Sequence, residues 1–150
     1  MKKILRIALI VILALLILAQ FVPVDRSIPE YNELSDILVT EQAPAEVAEL
    51  MKEACYDCHS YETNYPWYAK VAPVSWWIQN HIEEARGHLN FSEWASYDAE
   101  KASHKLEECI EEVKEGEMPL TSYTWLHSES NLTENQKELL YVWWEETRME

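Results

Sequence analysis

Two cysteines and a histidine fall within five consecutive residues, as Cys55-Tyr56-Asp57-Cys58-His59. The order C-x-x-C-H is the attachment sequence for c-type haem, in which both thiols add to the haem vinyl groups and the adjacent histidine binds iron. Residues three apart lie on one side of a helix, so both sulfurs can reach one edge of the macrocycle. The motif predicts one covalent haem on Cys55 and Cys58, with His59 as an iron ligand.

Three other uses of a cysteine pair fit this sequence less well. A redox pair needs its first cysteine at a helix N-terminus, where the helix dipole lowers the thiol pKa, but here the pair is predicted to close a helix. A structural zinc site needs four ligands, and outside the motif only Cys109 and scattered histidines are available. A disulfide would leave His59 without a role. Cys109 lies on the apolar stripe of a predicted helix and is expected to be a small core residue.

The second axial position of the iron has a methionine candidate. Met51 lies one turn before Cys55 and cannot reach the opposite face of the ring, and Met149 stands at the chain terminus. Met118 lies between Gly116, which stops a predicted helix, and Pro119, which favours an extended backbone before it. A rigid loop of this kind can present the Met118 thioether to iron. The alternative is a methionine that simply fills space under a loop.

Two histidines compete with Met118. His81 shares the apolar face of a predicted helix with Val74, Ile78, Ile82 and Ala85, where an isolated histidine is more often a hydrogen-bonded core residue. His127 follows in a loop nine residues after Met118. The sixth ligand therefore stays open between Met118 and these histidines.

Helical periodicity dominates the chain beyond residue 44, and no strand pattern competes with it. The two glycines, Gly87 and Gly116, are both predicted to end helices. The expected fold is all-α, a cytochrome c-like helical domain around one haem. The first predicted helix runs from Pro44 to the cysteine pair, and the second runs from Val74 to Gly87. A short helix over 93–97 has Ser92 as its N-cap and is followed by a longer helix over 99–115. The last helix begins with a capping box at Thr133 and Gln136.

The N-terminus has the pattern of a membrane anchor or a secretory signal. Lys2, Lys3 and Arg6 precede an apolar run over 7–22 that is broken only by Gln20. Sixteen helical residues reach about 24 Å, slightly less than the hydrocarbon core of a bilayer. An uncleaved anchor is favoured because no small-x-small cleavage site ends the run. The domain prediction is a membrane anchor or signal at 1–23, a stalk at 24–43 and a haem-binding domain at 44–150, in the periplasm by the positive-inside rule.

A formal net charge of −15 argues against a nucleic-acid partner, because such surfaces need a basic stripe. Much of the acid lies between residues 93 and 117. This stretch is either a solvated helix face or a docking surface for a basic redox partner.

Longer motifs resemble the bacterial haem-binding domain family across nearly the whole chain. The resemblance implies an exported, membrane-anchored monohaem domain, with His59 and Met118 as the iron ligands. Leu120 departs from it, since a second proline is common there. The motifs that carry it are residues 21–26, Cys55 to Ser60, Asn64-Tyr65-Pro66-Trp67-Tyr68, Pro73-Val74-Ser75-Trp76-Trp77, 89–94, Gly116-Glu117-Met118-Pro119, Tyr123 to His127, and Leu132-Thr133 before the final tryptophan-containing helix.

The preferred function is electron transfer at the periplasmic face of the bacterial inner membrane, with a protein redox partner. Tyr65, Trp67 and Tyr68 are expected against the haem edge, and Arg86 or Lys70 near the propionates. The alternative is a haem-based peroxidase or a gas or redox sensor, whose sixth position is open or displaceable and in which His81 or His127 acts as a distal group. A haem-bearing interaction module that regulates a membrane partner is a third possibility. An electron carrier is favoured over a catalyst, and the sequence leaves its partners, reduction potential and oligomeric state open.

Overall fold

The computed structural model describes residues 2–149, and within that range all regular secondary structure is helical. The all-α prediction is therefore confirmed for the described residues. Short 3-10 turns lie at Glu33–Ser35, Trp67–Lys70, Phe91–Ser96 and Ser128–Ser130. The α-helices are α1 (Lys2–Ala19), α2 (Ile37–Thr40), α3 (Ala45–Ala54), α4 (Tyr56–His59), α5 (Val74–His88), α6 (Ala99–Glu115), α7 (Thr121–Thr124) and α8 (Glu134–Arg148).

The core forms where apolar stripes of α3, α6 and α8 meet. Residues at helical spacing on α3 and α6 turn inward, and α8 adds two indole rings. Aromatic side chains from the motif and from 91–94 extend this core. Its buried members include Val47, Leu50 and Met51 of α3, Leu106, Ile110 and Val113 of α6, Leu140, Trp143 and Trp144 of α8, and Tyr56, Phe91 and Trp94.

Two helix boundaries follow the predicted signals. The α6 helix ends at Gly116, whose φ of +80° is left-handed, as a C-terminal cap requires. The α8 helix begins with a capping box, in which the Thr133 hydroxyl and the Gln136 side chain each accept from the other residue's backbone N–H. Local side-chain chemistry was sufficient to define these ends.

The end of α5 differs from the prediction. Gly87 lies inside the helix, which continues to His88 and stops because Leu89 is extended (φ −149°) and buried. Ile82 is buried as predicted, but the rest of the buried face of α5 differs, because Ser75 and Gln79 turn inward while Val74 is 43% exposed. Packing of Leu89 and of polar groups thus outweighed the local glycine and apolar signals.

The predicted N-cap at Ser92 is wrong. Asn90 caps the 3-10 turn, since its side-chain oxygen accepts from the Ser92 N–H at 3.1 Å. The Ser92 hydroxyl is buried and accepts from the Tyr61 N–H at 3.0 Å. Ser92 therefore ties the loop after the motif to the core instead of starting a helix.

Part of the predicted stalk packs on the core. Ile37 is fully buried, and the Tyr56 hydroxyl donates to Asp36 Oδ1 at 2.6 Å. The Trp94 indole N–H donates to Glu41 Oε1 at 2.8 Å. The sequence hid this contact because α2 is a single turn, too short to show periodicity.

The helix α1 stands apart from the core, and none of its residues is buried. Among residues 2–149, no helix combines the length and the apolar character needed to cross a bilayer.

Candidate functional site

The cysteine motif lies at a break between two helices. As predicted, α3 ends at the motif, and the Cys55 N–H donates to the Met51 carbonyl at 2.9 Å. Cys55 then departs from helical geometry, with φ −124° and ψ −38°, and Cys58 and His59 lie in the single turn of α4. The turn closes when the His59 N–H donates to the Cys55 carbonyl at 2.9 Å. The motif is therefore a compact unit at the end of α3, with one additional turn that the sequence did not predict.

Both motif thiols lie in surroundings that keep them protonated. Burial, with a smaller contribution from Cys58, raises the pKa of Cys55 to about 12. Burial and the Asp57 carboxylate raise the pKa of Cys58 to about 11, against a smaller opposing effect of Arg86. A thiol–disulfide oxidoreductase needs a lowered thiol pKa. These cysteines are therefore poorly suited to redox exchange.

The third cysteine, Cys109, is half-buried on α6 and packs against the core. Burial, followed by neighbouring Cys55, raises its pKa. Its position on the inner stripe of α6 agrees with the predicted packing role.

The His59 ring is held in one tautomer. Its Nδ1 lies 3.1 Å from the Leu89 carbonyl oxygen, which can only accept, so Nδ1 carries the proton and donates. Burial lowers the pKa of His59, with hydrogen bonds to Leu89 and Ala85 opposing the shift, which favours the neutral ring. A neutral imidazole that donates from Nδ1 leaves its Nε2 lone pair for a metal.

A cavity of about 130 Å³, open to solvent at its mouth, lies beside Cys58. Its walls are mainly aromatic and aliphatic, which suits the edge of an apolar ring. It brings together five residues named from the sequence: Cys58, Tyr65, Tyr68, His81 and His127. It also contains residues that were not singled out as site residues, among them Asp57, Trp77, Ile78, Leu120, Tyr123 and Leu126.

Four predicted site residues lie outside the walls of this cavity. Trp67 is 77% exposed and contacts Tyr68 edge-on at 5.9 Å between ring centroids. Met118 is half-buried against the core and lines a second, neighbouring cavity with Val113 and Leu132. Cys55 and His59 are also outside the walls of the first cavity. The structure thus does not bring Met118 into the cavity that Cys58 lines.

A hydrogen-bond network that the sequence analysis missed connects the motif to two loops. Asp57 accepts from the Asn64 N–H at 2.8 Å and from the Tyr123 hydroxyl at 2.8 Å. Tyr123 stacks on His127 at 4.2 Å between ring centroids, and the Tyr68 hydroxyl lies 2.6 Å from His127 Nε2. In the sequence, only the acidic residue inside the motif, Asp57, could have indicated this network.

The two basic residues predicted near the propionates differ in their surroundings. Arg86 donates from Nε to the Ser60 carbonyl and from a terminal nitrogen to the Thr63 hydroxyl, each at 2.8 Å. Lys70 lies exposed at the end of its 3-10 turn. Arg86 therefore has a structural role in holding the loop after the motif.

These features fit a haem. The His59 ring donates from Nδ1, so its Nε2 lone pair faces no competing proton. With the two protonated thiols of the C-x-x-C-H motif and an aromatic cavity beside one of them, the site offers a ligand, two attachment points and an apolar surface. The sequence profile described as "Haem-binding domain" matches residues 14–146. The chain belongs to the haem-binding domain family.

Family membership confirms the resemblance drawn from the motifs and supports haem as the cofactor of this haem-binding domain. The match begins inside α1 and ends inside α8, so it includes the cysteine motif, the cavity and the Met118 loop. Neither the comparison with curated proteins nor that with solved structures gave a match.

Proposed function

We propose that this haem-binding domain is a c-type cytochrome that transfers single electrons to and from a protein partner. One haem is attached through Cys55 and Cys58, with His59 and Met118 as the iron ligands. The observation that carries the proposal is the C-x-x-C-H motif whose histidine donates from Nδ1 to the Leu89 carbonyl. Haem held there supplies an iron that changes oxidation state by one electron.

The chain's own residues orient and insulate this centre. The Leu89 carbonyl fixes the His59 ring, and a carbonyl partner of this kind increases the basicity of a histidine ligand. Tyr65 and Tyr68 hold their rings at the cavity through hydroxyl bonds to Gln79 (3.0 Å) and His127 (2.6 Å). Both tyrosines therefore place ring surface on the cavity side of Cys58, and Trp67 packs edge-on against Tyr68.

The acidic α6 helix is the proposed docking side for a basic redox partner. Its sequence includes Glu107, Glu108, Glu111 and Glu112 against Lys101, Lys105 and Lys114. Such a surface guides encounter and orientation more than it adds affinity.

A second candidate is a peroxidase or a gas or redox sensor. It is favoured by one observation, namely that His81 and His127 share the cavity with Cys58 while Met118 lines another. In this case a cavity histidine would hold or move a proton beside a bound small molecule. Ready binding of carbon monoxide to the reduced protein would support this function, whereas its absence supports a closed electron carrier.

Attachment to the bacterial inner membrane, with the domain in the periplasm, is also a proposal. It is supported by the exposed aliphatic surface of α1 and by Lys2, Lys3 and Arg6 at its start. Cleavage of this segment as a signal is the alternative. The mass of the protein recovered from membranes distinguishes the two.

Covalent attachment is tested with the double variant Cys55→Ser, Cys58→Ser. We expect the haem stain on a denaturing gel to be lost, because no thioether can form and a non-covalent haem dissociates on denaturation. Cys109→Ser is the matched control and should retain the stain. Stain that persists in the double variant would exclude covalent attachment through these cysteines.

A further inference from the structure

Five large apolar side chains around the start of α5 are exposed to solvent. Trp67 is 77% exposed, Val71 44%, Val74 43%, Trp76 38% and Trp77 50%. Single exposed apolar residues are ordinary, but these five lie within eleven residues, on a 3-10 turn and a helix that pack against each other, as in surfaces that contact a partner or a lipid bilayer. These five residues are called the aromatic face below.

The charge of this region differs from that of the rest of the chain. Residues 63–82 contain no aspartate or glutamate, although the protein has 27 acidic residues and a net charge of −15. Lys70 is the one Asp, Glu, Lys or Arg residue in that stretch. A stretch without acidic side chains and with one lysine reduces repulsion from anionic lipid headgroups.

The end of α1 is fixed to the centre of this face. The Gln20 side-chain amide donates to the Ala72 carbonyl at 3.0 Å, and the Ala72 N–H donates to Gln20 Oε1 at 3.0 Å. Arg26 adds a bond to the Ala69 carbonyl at 2.7 Å. Whatever covers the exposed aliphatic surface of α1 therefore also lies next to the aromatic face.

We propose that the aromatic face lies in the headgroup region of the bilayer that holds α1. The proposal rests on the membrane attachment proposed above. Tryptophan favours this region because its ring is apolar and its indole N–H finds polar partners. Lys70 faces lipid phosphates, and the bonds from Gln20 set how close the domain lies to the membrane. Since Val74 and Trp77 also line the cavity beside Cys58, the cavity lies next to the membrane surface.

Spin labels can locate this face. The haem-loaded full-length chain, carrying Cys109→Ser so that Cys109 does not react, is labelled at Trp67→Cys or at Val71→Cys. Glu100→Cys, exposed in the first turn of α6, is the matched control. Each protein is placed in vesicles of phosphatidylethanolamine and phosphatidylglycerol. Relaxation by oxygen, which concentrates in the bilayer, is compared with relaxation by a water-soluble nickel chelate.

We expect a ratio of oxygen to nickel accessibility several-fold higher at positions 67 and 71 than at position 100. Equal ratios in protein that floats with the vesicles would overturn the aromatic-face proposal and leave membrane attachment standing. Protection from both reagents at 67 and 71 would assign the face to a protein contact instead. Protein that does not float at all would overturn both the attachment and the face, while haem staining tests the cytochrome separately.

Discussion

The two proposed iron ligands, His59 and Met118, would set the reduction potential of the haem. His59 donates from Nδ1 to a backbone carbonyl, a partner that no side-chain substitution can remove. Met118 lies in a loop whose backbone is tied to α6, since its N–H donates to the Glu112 carbonyl at 3.1 Å. Methionine and histidine ligation raises the reduction potential compared with two nitrogen ligands.

Met118→Ala tests the sixth ligand. We expect the oxidised protein to show the weak long-wavelength sulfur-to-iron absorption, and this variant to lose it because the thioether is gone. Its reduction potential should also fall. Met149→Ala removes a methionine that is 76% exposed and should keep the absorption and the potential. If the wild-type protein lacked this absorption, Met118 would not be the sixth ligand, and His81 or His127 would be the remaining candidates.

At the scale of the elements, the end of α6 determines where Met118 lies. Gly116 takes a left-handed conformation, and the Glu117 and Met118 N–H groups then both donate to the Glu112 carbonyl, at 3.0 and 3.1 Å. This turn reverses the chain directly before the loop. A residue that resists a positive φ would strain the same turn that positions the thioether.

The two glycines allow the same substitution to be compared in opposite contexts. Gly116→Ala should lower the free energy of unfolding by about 1 kcal/mol, because a Cβ disfavours a positive φ. Gly87→Ala should raise it by about 0.5–1 kcal/mol, because Gly87 is inside α5 and a Cβ there meets no atom within 4 Å. Urea unfolding measures both. A stabilising Gly116→Ala would contradict the proposed role of the turn.

At the scale of the whole molecule, the segment before α3 is joined to the motif through a buried carboxyl group. Asp36 is 4% exposed, and its Oδ1 accepts from both the Tyr56 hydroxyl and the Leu38 N–H, at 2.6 and 2.9 Å. Burial raises the pKa of Asp36 above its ordinary value of 3.8, although these two bonds oppose the shift. The folded protein therefore holds a proton on Asp36 up to a higher pH than the unfolded chain does.

This shift gives a pH dependence with a definite sign. The contribution of Asp36 to stability is complete below pH 3.8 and is lost as the pH rises through the raised folded pKa. Asp36→Asn keeps the Oδ1 acceptor and cannot ionise. Relative to this variant, the wild-type protein should lose unfolding free energy between acidic and neutral pH. A difference that stays constant with pH, measured by urea unfolding, would show that Asp36 does not titrate in this way.

The parts of the fold that the sequence predicted depend on local chemistry. Gly116 ends α6, and the Thr133 capping box defines the start of α8. The C-terminal end of α5 and the role of Ser92 were predicted wrongly because they depend on distant partners. Leu89 is buried against the core, and the Ser92 hydroxyl bonds to a loop 31 residues away in sequence.

The same distinction applies to the site. C-x-x-C-H by itself predicted haem as the cofactor, because the proposed covalent attachment and iron binding would require these side chains at this spacing. Only the tertiary structure decided which tautomer His59 adopts, that Asp57 joins Tyr123, and that Cys58 shares a cavity with His81 and His127. These relations join residues that are far apart in the chain, so their geometry depends on how the helices pack and no local pattern encodes it.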